Sequence, residues 1–429
     1  MSCGLATWLG ASHLAIHSFS TGLKRNFRCR VTCSVRTAVA FLALTMALVA
    51  CEQSSASRLP ANPTPQVGSP NPSTPTPVAS SNPSPTLAPN TALGVFTGSA
   101  QDTPGHYSIR IVDIEGQVRA SYLAAFGGDE IPSPLAISRV AVFLPTISLS
   151  DTRAYFPDGD GYLRVLAADG STSIVHTLPN VRGKTRAVFA VSPDDKRIAV
   201  SRFDWSVAPM SVHIYVEDVA GGGNHVDIFD STSAYEWPVA WHAGNIVLAV
   251  NPVHNASNPY GAGAYHVVKA SDGTRIATMG GPDCLVVGPL SVSGTACASD
   301  CASTATCVEA VDWSGARSVV YRRPNDQGSG ASWSALSPDG RALTTGTQGP
   351  GDGVATSSGI VRFTGTVVDL RNWWIDNHHV LAWLCVGENL SGCSDVIGAI
   401  DVATGSALPG SIQGIDATPI GWFPVSPNH

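Results

Sequence analysis

Few side chains in this sequence stand at spacings that do chemistry, and cysteine is the most prominent. Ten are encoded, four of them between Cys284 and Cys307. Four thiolates in so short a stretch would suit a tetrahedral zinc site, but the spacing lacks a Cys-x-x-Cys pair, and disulfide formation competes. Asp158-Gly159-Asp160-Gly161 resembles the start of a calcium loop without its later acidic ligand, and a glycine-rich hairpin turn between Phe156 and Tyr162 accounts for it. His378-His379 begins a strand, where consecutive side chains point to opposite faces, so the two rings cannot hold one ion. There is no nucleophile elbow, phosphate loop or zinc-protease helix. Neither a metal nor a cofactor is therefore expected. The carboxylates Asp129, Glu130, Asp204, Glu236, Asp326 and Asp376 would do acid and base work only if the fold brought two of them to roughly 5 to 10 Å in one pocket.

Positioning falls to short strands. From Val188 to Phe229 four apolar or alternating runs (Val188 to Val191, Arg197 to Ser201, Val212 to Val219, His225 to Phe229) are separated by Ser192-Pro193-Asp194-Asp195 first and Gly221-Gly222-Gly223 last. Four strands joined as a meander make one blade of a β-propeller. Ser337-Pro338-Asp339-Gly340 repeats the first signal with type I turn chemistry. Seven such units run from Leu93, Val140, Val188, Pro238, Leu285, Trp333 (to Leu370) and Asn372 (to Ile412). The first has only three strands. Thr418-Pro419-Ile420-Gly421-Trp422-Phe423 is similar to the fourth unit's first strand, Trp237 to His242, yet nothing follows it. It is expected to enter the first unit as the innermost strand and close the ring. The fold class is all-β, a β-propeller of about seven four-stranded blades, with six or eight as alternatives because the first and sixth units are the least regular. Connections after the first and third strands are tight, and those after the second and fourth are long. Phe203 to Met210, Pro252 to Gly263, Arg322 to Ser332 and Thr347 to Gly359 should therefore share one mouth of the ring, with Asp204, Trp205, His254, Asn255, Tyr260, Arg322, Arg323 and Asp326 as binding-face candidates. Trp237, Trp241, Trp333, Trp373, Trp374 and Trp422 recur near first strands and are read as blade-to-blade packing.

The start of the chain differs. Lys24, Arg25, Arg28, Arg30 and Arg36 precede an apolar run from Thr37 to Ala50, too short to span a membrane comfortably but right for a signal-peptide core. The run ends in Leu48-Val49-Ala50-Cys51, which resembles the lipobox of bacterial lipoproteins. That resemblance implies cleavage before Cys51 and lipidation of its thiol. Residues 1 to 22 add nothing to the signal, and starts at Leu23 or Val31 would give one of normal length. Glu52 to Ala92 is almost entirely Pro, Ser, Thr, Asn and Ala, a composition expected to remain a disordered, solvated tether reaching roughly 130 Å when extended. The division is thus 1–50 signal region, 51–92 lipidated Cys and tether, 93–429 propeller. Two or three acyl chains hold a protein stably where one does not. The expected location is the cell membrane, lipid-anchored and facing the extracytoplasmic side. A net charge of −7 with 13% charged residues offers no basic surface for nucleic acid.

Ser192-Pro193-Asp194 with Arg197-Ile198-Ala199, Ile214-Tyr215-Val216-Glu217-Asp218, and Ser337-Pro338-Asp339-Gly340-Arg341-Ala342-Leu343 are similar to the TolB-like and WD-repeat-like propeller repeat. The resemblance covers residues 93 to 429 and implies architecture rather than function. The leading expectation is a binding or scaffolding module for a protein or glycan ligand, without catalysis. A hydrolase or lyase acting on polysaccharide or peptide, and a sensory or accessory domain of an envelope complex, are the alternatives. Export leaves six cysteines with fifteen pairings. Cys385 and Cys393 lie at facing ends of neighbouring strands, Cys301 and Cys307 occupy the analogous place two units earlier, and Cys284 is left for Cys297. Non-reducing peptide mapping of the exported protein should find no free thiol and a Cys385 to Cys393 bridge. Replacing that pair should lower the stability of its blade by about 2 to 3 kcal/mol without unfolding the ring, since so short a loop gains only that from closure.

Overall fold

Local turn chemistry sets the blades. Ser192 Oγ donates to Asp194 Oδ1 at 2.7 Å and accepts the Arg197 N–H at 2.9 Å, while the Asp195 N–H closes the turn on the Ser192 carbonyl at 3.0 Å. Ser337 repeats the arrangement with Asp339 at 2.6 Å, the Arg341 N–H at 3.1 Å and the Gly340 N–H at 2.9 Å. The fourth position has φ of +63° at Asp195 and +74° at Gly340, which glycine adopts freely and aspartate tolerates.

The computed structural model describes residues 93–99, 103–113, 116–127, 146–250, 253–255, 258–302, 305–324, 335–345, 353–363, 367–386, 394–408 and 418–423. The chain divides into two compact units, residues 1–81 and 82–429, and all described residues belong to the second. The lipobox, the tether, Asp129, Glu130, Asp326, Trp333 and Cys393 lie outside them.

The first blade contains β1 (Leu93–Ser99), β2 (His106–Asp113) and β3 (Val118–Ala125). The second holds β4 (Ser148–Leu149), β5 (Arg153–Asp158), β6 (Tyr162–Ala167) and β7 (Thr172–Thr177), and the third β8 (Thr185–Val191), β9 (Arg197–Asp204), β10 (Ser211–Asp218) and β11 (Val226–Ser231). In the fourth, β12 (Glu236–His242) and β13 (Asn245–Val250) are followed by a separate hairpin, β14 (Val253–Asn255) and β15 (Asn258–Gly261), before β16 (Ala264–Lys269) and β17 (Arg275–Gly280). The fifth is β18 (Leu285–Val286), β19 (Thr295–Ala302), β20 (Ala305–Val311) and β21 (Arg317–Pro324). The sixth is β22 (Ala342–Thr345), β23 (Gly353–Thr356) and β24 (Gly359–Arg362), and the seventh β25 (Val367–Trp374), β26 (His379–Val386), β27 (Ser394–Asp401) and β28 (Ser406–Ala407). Each blade is an antiparallel meander.

The last strand, β29 (Thr418–Phe423), pairs antiparallel with β1, giving the order β29-β1-β2-β3. The C-terminal segment thus completes the first blade as expected. Every seam between neighbouring blades is filled with apolar side chains. Phe156 meets Ile109 between the first and second blades, Phe189 meets Leu163 between the second and third, and Trp237 meets Phe203 between the third and fourth. The same core runs on to Val311 of the fifth, Leu336 packs on Val308, and Trp374 packs on Val354. Phe96 and Trp422 of the first blade pack on Leu381 and Ile397 of the seventh, so the ring is continuous. The Trp241 indole N–H donates to Ala190 of the preceding blade at 3.0 Å, and Trp374 does the same to Ala335 at 2.9 Å, which agrees with a packing role for these rings.

Three boundaries differ from expectation. Val367 to Leu370 opens the seventh blade instead of ending the sixth, and among the described residues the sixth has a bridge, Leu336 to Leu343, where a first strand would lie. Thr347 to Gly359, read as one long loop, contains β23 and the tight turn to β24. Pro252 to Gly263 contains the β14–β15 hairpin. In the two loops the strands escape because runs of three or four residues carry almost no periodicity.

Asp158 clasps the first two blades together. Its carboxylate accepts the Ala125 N–H at 2.9 Å, the Tyr122 hydroxyl at 2.9 Å and Arg164 Nε at 2.8 Å. Burial pushes its pKa upward, but these donors outweigh it and hold the carboxyl below the usual range. A depressed folded-state value contributes stability that is present above the unfolded value and lost as pH falls through the folded one. Asp158→Asn should therefore cost about 1.5 to 3 kcal/mol at pH 7, as expected for bonds to a charged group, with the difference from wild type vanishing in acid. Urea titrations at pH 7 and pH 3 check both. Truncation after Gly414 should remove β29, leave β1 as an open edge and cause aggregation or unfolding of the whole domain. A soluble monomer with unchanged Tm would refute the closure.

Candidate functional site

A cluster of six ionisable side chains lies among the described residues on the outer strands of the third blade, on the sheet face turned to the second. β10 and β11 pair in register until a bulge between Ile214 and Tyr215: Ile214 faces Phe229, but Tyr215 faces Asp227, so Ile228 is the extra residue. Strict alternation would put Asp227 and Asp230 on opposite faces. The bulge lets Ile228 and Phe229 both pack on the core shared with the fourth blade and brings Asp227 and Asp230 to the other side.

There His213, Tyr215 and Glu217 follow one another along β10 by ordinary alternation. His213 Nδ1 lies 2.7 Å from Asp230 Oδ1, and its Nε2 lies 3.1 Å from Asp227 Oδ1. His225 meets the same Asp227 oxygen with Nε2 at 3.0 Å and reaches Glu217 Oε2 with Nδ1 at 3.2 Å. The other Glu217 oxygen is 2.9 Å from His176 Nε2 on β7. Tyr215 lies between the two outer imidazoles, its ring centre 5.5 Å from His213 and 4.7 Å from His225. Hydrogen bonding to Glu217, opposed by burial and reinforced by Asp227, holds the His225 ring above its ordinary value. Nε2 of both histidines and Oδ1 of Asp227 converge on one point, a geometry able to hold a metal ion. β10 and β11 are legible as neighbouring strands, but the bulge at Ile228 that turns Asp230 toward His213 is not written in their alternation.

A second group of metal-ligand type, Cys284, Cys297 and Glu309, is closed to metal. Its sulfurs form a disulfide, and Glu309 is held by Arg317 Nε at 2.6 Å and Nη2 at 3.0 Å. Cys301 and Cys307 form a second disulfide. Asp158 and Asp160 of the glycine-rich turn are engaged by Arg164 and Arg186, so arginines stand where a calcium ion would. His378 is exposed and His379 buried, with His379 Nδ1 2.8 Å from Asp376 Oδ2.

Of the binding-face candidates, Asp204, Trp205, His254, Asn255, Tyr260, Arg322 and Arg323 fall in described elements, and Asp326 lies outside the described residues. Asp204 ends β9, pinned by Ser206 and by Arg202 at 2.8 Å, and Trp205 beside it packs against the core of the third and fourth blades. His254 and Asn255 lie in β14 and Tyr260 in β15. Arg322 and Arg323 belong to strand β21, correcting their assignment to a loop, since the ladder from Ala305 to Val311 carries the pairing on to Pro324. A cleft of about 720 Å³ opens instead at the tight-turn ends of the third and fourth blades, lined by Arg197, Asn224, His225, Asn245, Lys269 and Ser271.

No protein-family model matches the chain, and no curated protein matches it. Solved structures do. An oligogalacturonate lyase in complex with manganese is 12% identical at a TM-score of 0.44, over 69% of this chain and 83% of that one. An oligogalacturonate lyase from Vibrio parahaemolyticus is 10% identical at a TM-score of 0.41, over 73% and 99%. A Dos1 propeller is 10% identical at 0.40, over 77% and 86%. Similarity at this level carries no argument, and the seven blades rest on the strand pairing itself.

Proposed function

We propose that the chain is a lipid-anchored, extracytoplasmic β-propeller that binds a polar ligand, a glycan or a protein segment, outside the membrane. The observation that carries the compartment is the pair of disulfides, Cys284 to Cys297 and Cys301 to Cys307, because such bonds persist where the surroundings are oxidising. The lipobox at Cys51 supplies the anchor. For the ligand, the cleft between the third and fourth blades has the volume of a small-molecule site, and its two cations and two amides suit an acidic or hydroxyl-rich group. Cys51→Ala should release the protein from washed membranes and abolish labelling by a fatty-acid analogue, and a mutant retained in the membrane fraction would sink the anchor. Arg197→Ala with Lys269→Ala should weaken binding of an anionic oligosaccharide at least tenfold, about 1.4 kcal/mol, by calorimetry.

A second reading, a hydrolase or lyase acting on polysaccharide or peptide, has the more specific chemistry behind it. Two imidazoles and one carboxylate leave a coordination position free, which is how catalytic metal sites differ from structural ones. Release of fragments from labelled polysaccharide or peptide, stopped by a chelator and by His225→Ala, would favour this reading over simple binding.

A further inference from the structure

We infer that His213, His225 and Asp227 form a binding site for one divalent transition-metal ion of the zinc class, on the outer edge of the third blade. The site does not rest on the anchor, and it shares only His225 with the lining of the cleft. The first argument is spacing. Ligands at about 2.0 to 2.1 Å from a tetrahedral zinc stand about 3.3 Å from one another. Here both imidazole Nε2 atoms already lie 3.1 and 3.0 Å from Asp227 Oδ1, and all three ligand atoms fall within 4.8 Å of one another, so an ion enters with small side-chain shifts.

The second argument is what stands behind the ligands. Metal-binding histidines usually donate their other ring N–H to a carboxylate, which fixes the tautomer and aims the ligand nitrogen. Both rings have that partner: Asp230 behind His213 at 2.7 Å and Glu217 behind His225 at 3.2 Å. Glu217 is steadied in turn by His176 at 2.9 Å. All four ring nitrogens therefore face carboxylate oxygens, an arrangement that calls for positive charge between the rings and Asp227. One divalent ion supplies it with both rings neutral. Imidazole and a single carboxylate favour zinc, copper(II), nickel or cobalt over calcium or magnesium, which prefer all-oxygen shells.

The third argument is access. The side chains of His213, His225 and Asp227 are 31%, 45% and 63% exposed, so ion and water reach the fourth position directly. His213 and Asp227 also sit on two hydrogen-bonded strands, whose ladder sets their separation, and His225 directly precedes the second of them.

The test uses the full mature chain in detergent, stripped with chelator and titrated with Zn²⁺ against a chromophoric competitor. One ion per chain is expected, with a micromolar or tighter Kd. Cobalt(II) should give the intense visible bands of a four-coordinate site. His213→Ala with His225→Ala should abolish binding, as should Asp227→Asn, whose near-identical shape leaves folding intact. Glu217→Gln or Asp230→Asn should weaken affinity about 10- to 100-fold. His379→Ala, on the seventh blade, should change nothing. Circular dichroism confirms that each variant folds. No binding by the wild type, or binding that survives in the folded Asp227→Asn and double-histidine variants, would overturn the assignment and leave the cluster as a ladder held by protons alone.

Discussion

The pairing of β29 with β1 is the interaction on which the other blades depend. A blade has two broad faces, and each is buried only against a neighbour. Any gap in the circle exposes two apolar faces at once. Here the circle is completed by one blade assembled from β29 and from β1 to β3. Gly94 shows how tight the join is: a Cβ there would stand 2.8 Å from the Phe96 ring and 2.9 Å from the Trp422 ring. The closing strand is held by side-chain packing as much as by backbone hydrogen bonds.

Seams elsewhere have devices that this join lacks. Trp241 and Trp374 each stitch one blade to its predecessor through an indole N–H. Trp422, near the end of the corresponding strand, has a buried indole nitrogen with no partner among the described residues, and an orphaned donor costs about 1 to 3 kcal/mol. It meets Phe96 edge to face at 6.1 Å instead. The fifth blade has another weakness. Its strand β19 reads Thr-Ala-Cys-Ala-Ser-Asp-Cys-Ala, side chains that contribute little apolar volume to the seams. The buried Cys284 to Cys297 bond joins the core there, and covalent closure compensates for missing apolar volume.

The repeated units were legible because turn residues punctuate them. Ser192 and Ser337 impose their turns through bonds to residues two to five positions away, which are local and written in sequence. The closing strand was legible because a lone terminal strand similar to Trp237 to His242 had no other use. What escaped notice was non-local. Arg322 looks like a loop residue until its pairing with Cys307 is known. Val367 looks like the end of one blade until β26 claims its strand. His213 and Asp227 are unrelated in sequence until one bulged residue, Ile228, decides which way two aspartates point. Packing against the fourth blade sets that bulge, and no local propensity announces it.

Leu93 stands opposite Phe423 across the closing ladder, at the place where the third blade has Ser192 to Asp195 and the fourth has Ala243-Gly244. β1 therefore begins and β29 ends on one face, and that face also carries the cleft of Arg197, Asn245 and Lys269. A ligand seated in the cleft would lie on the same side of the ring as this end of the closing ladder, so the seal of the first blade and the occupied cleft would share one solvent boundary.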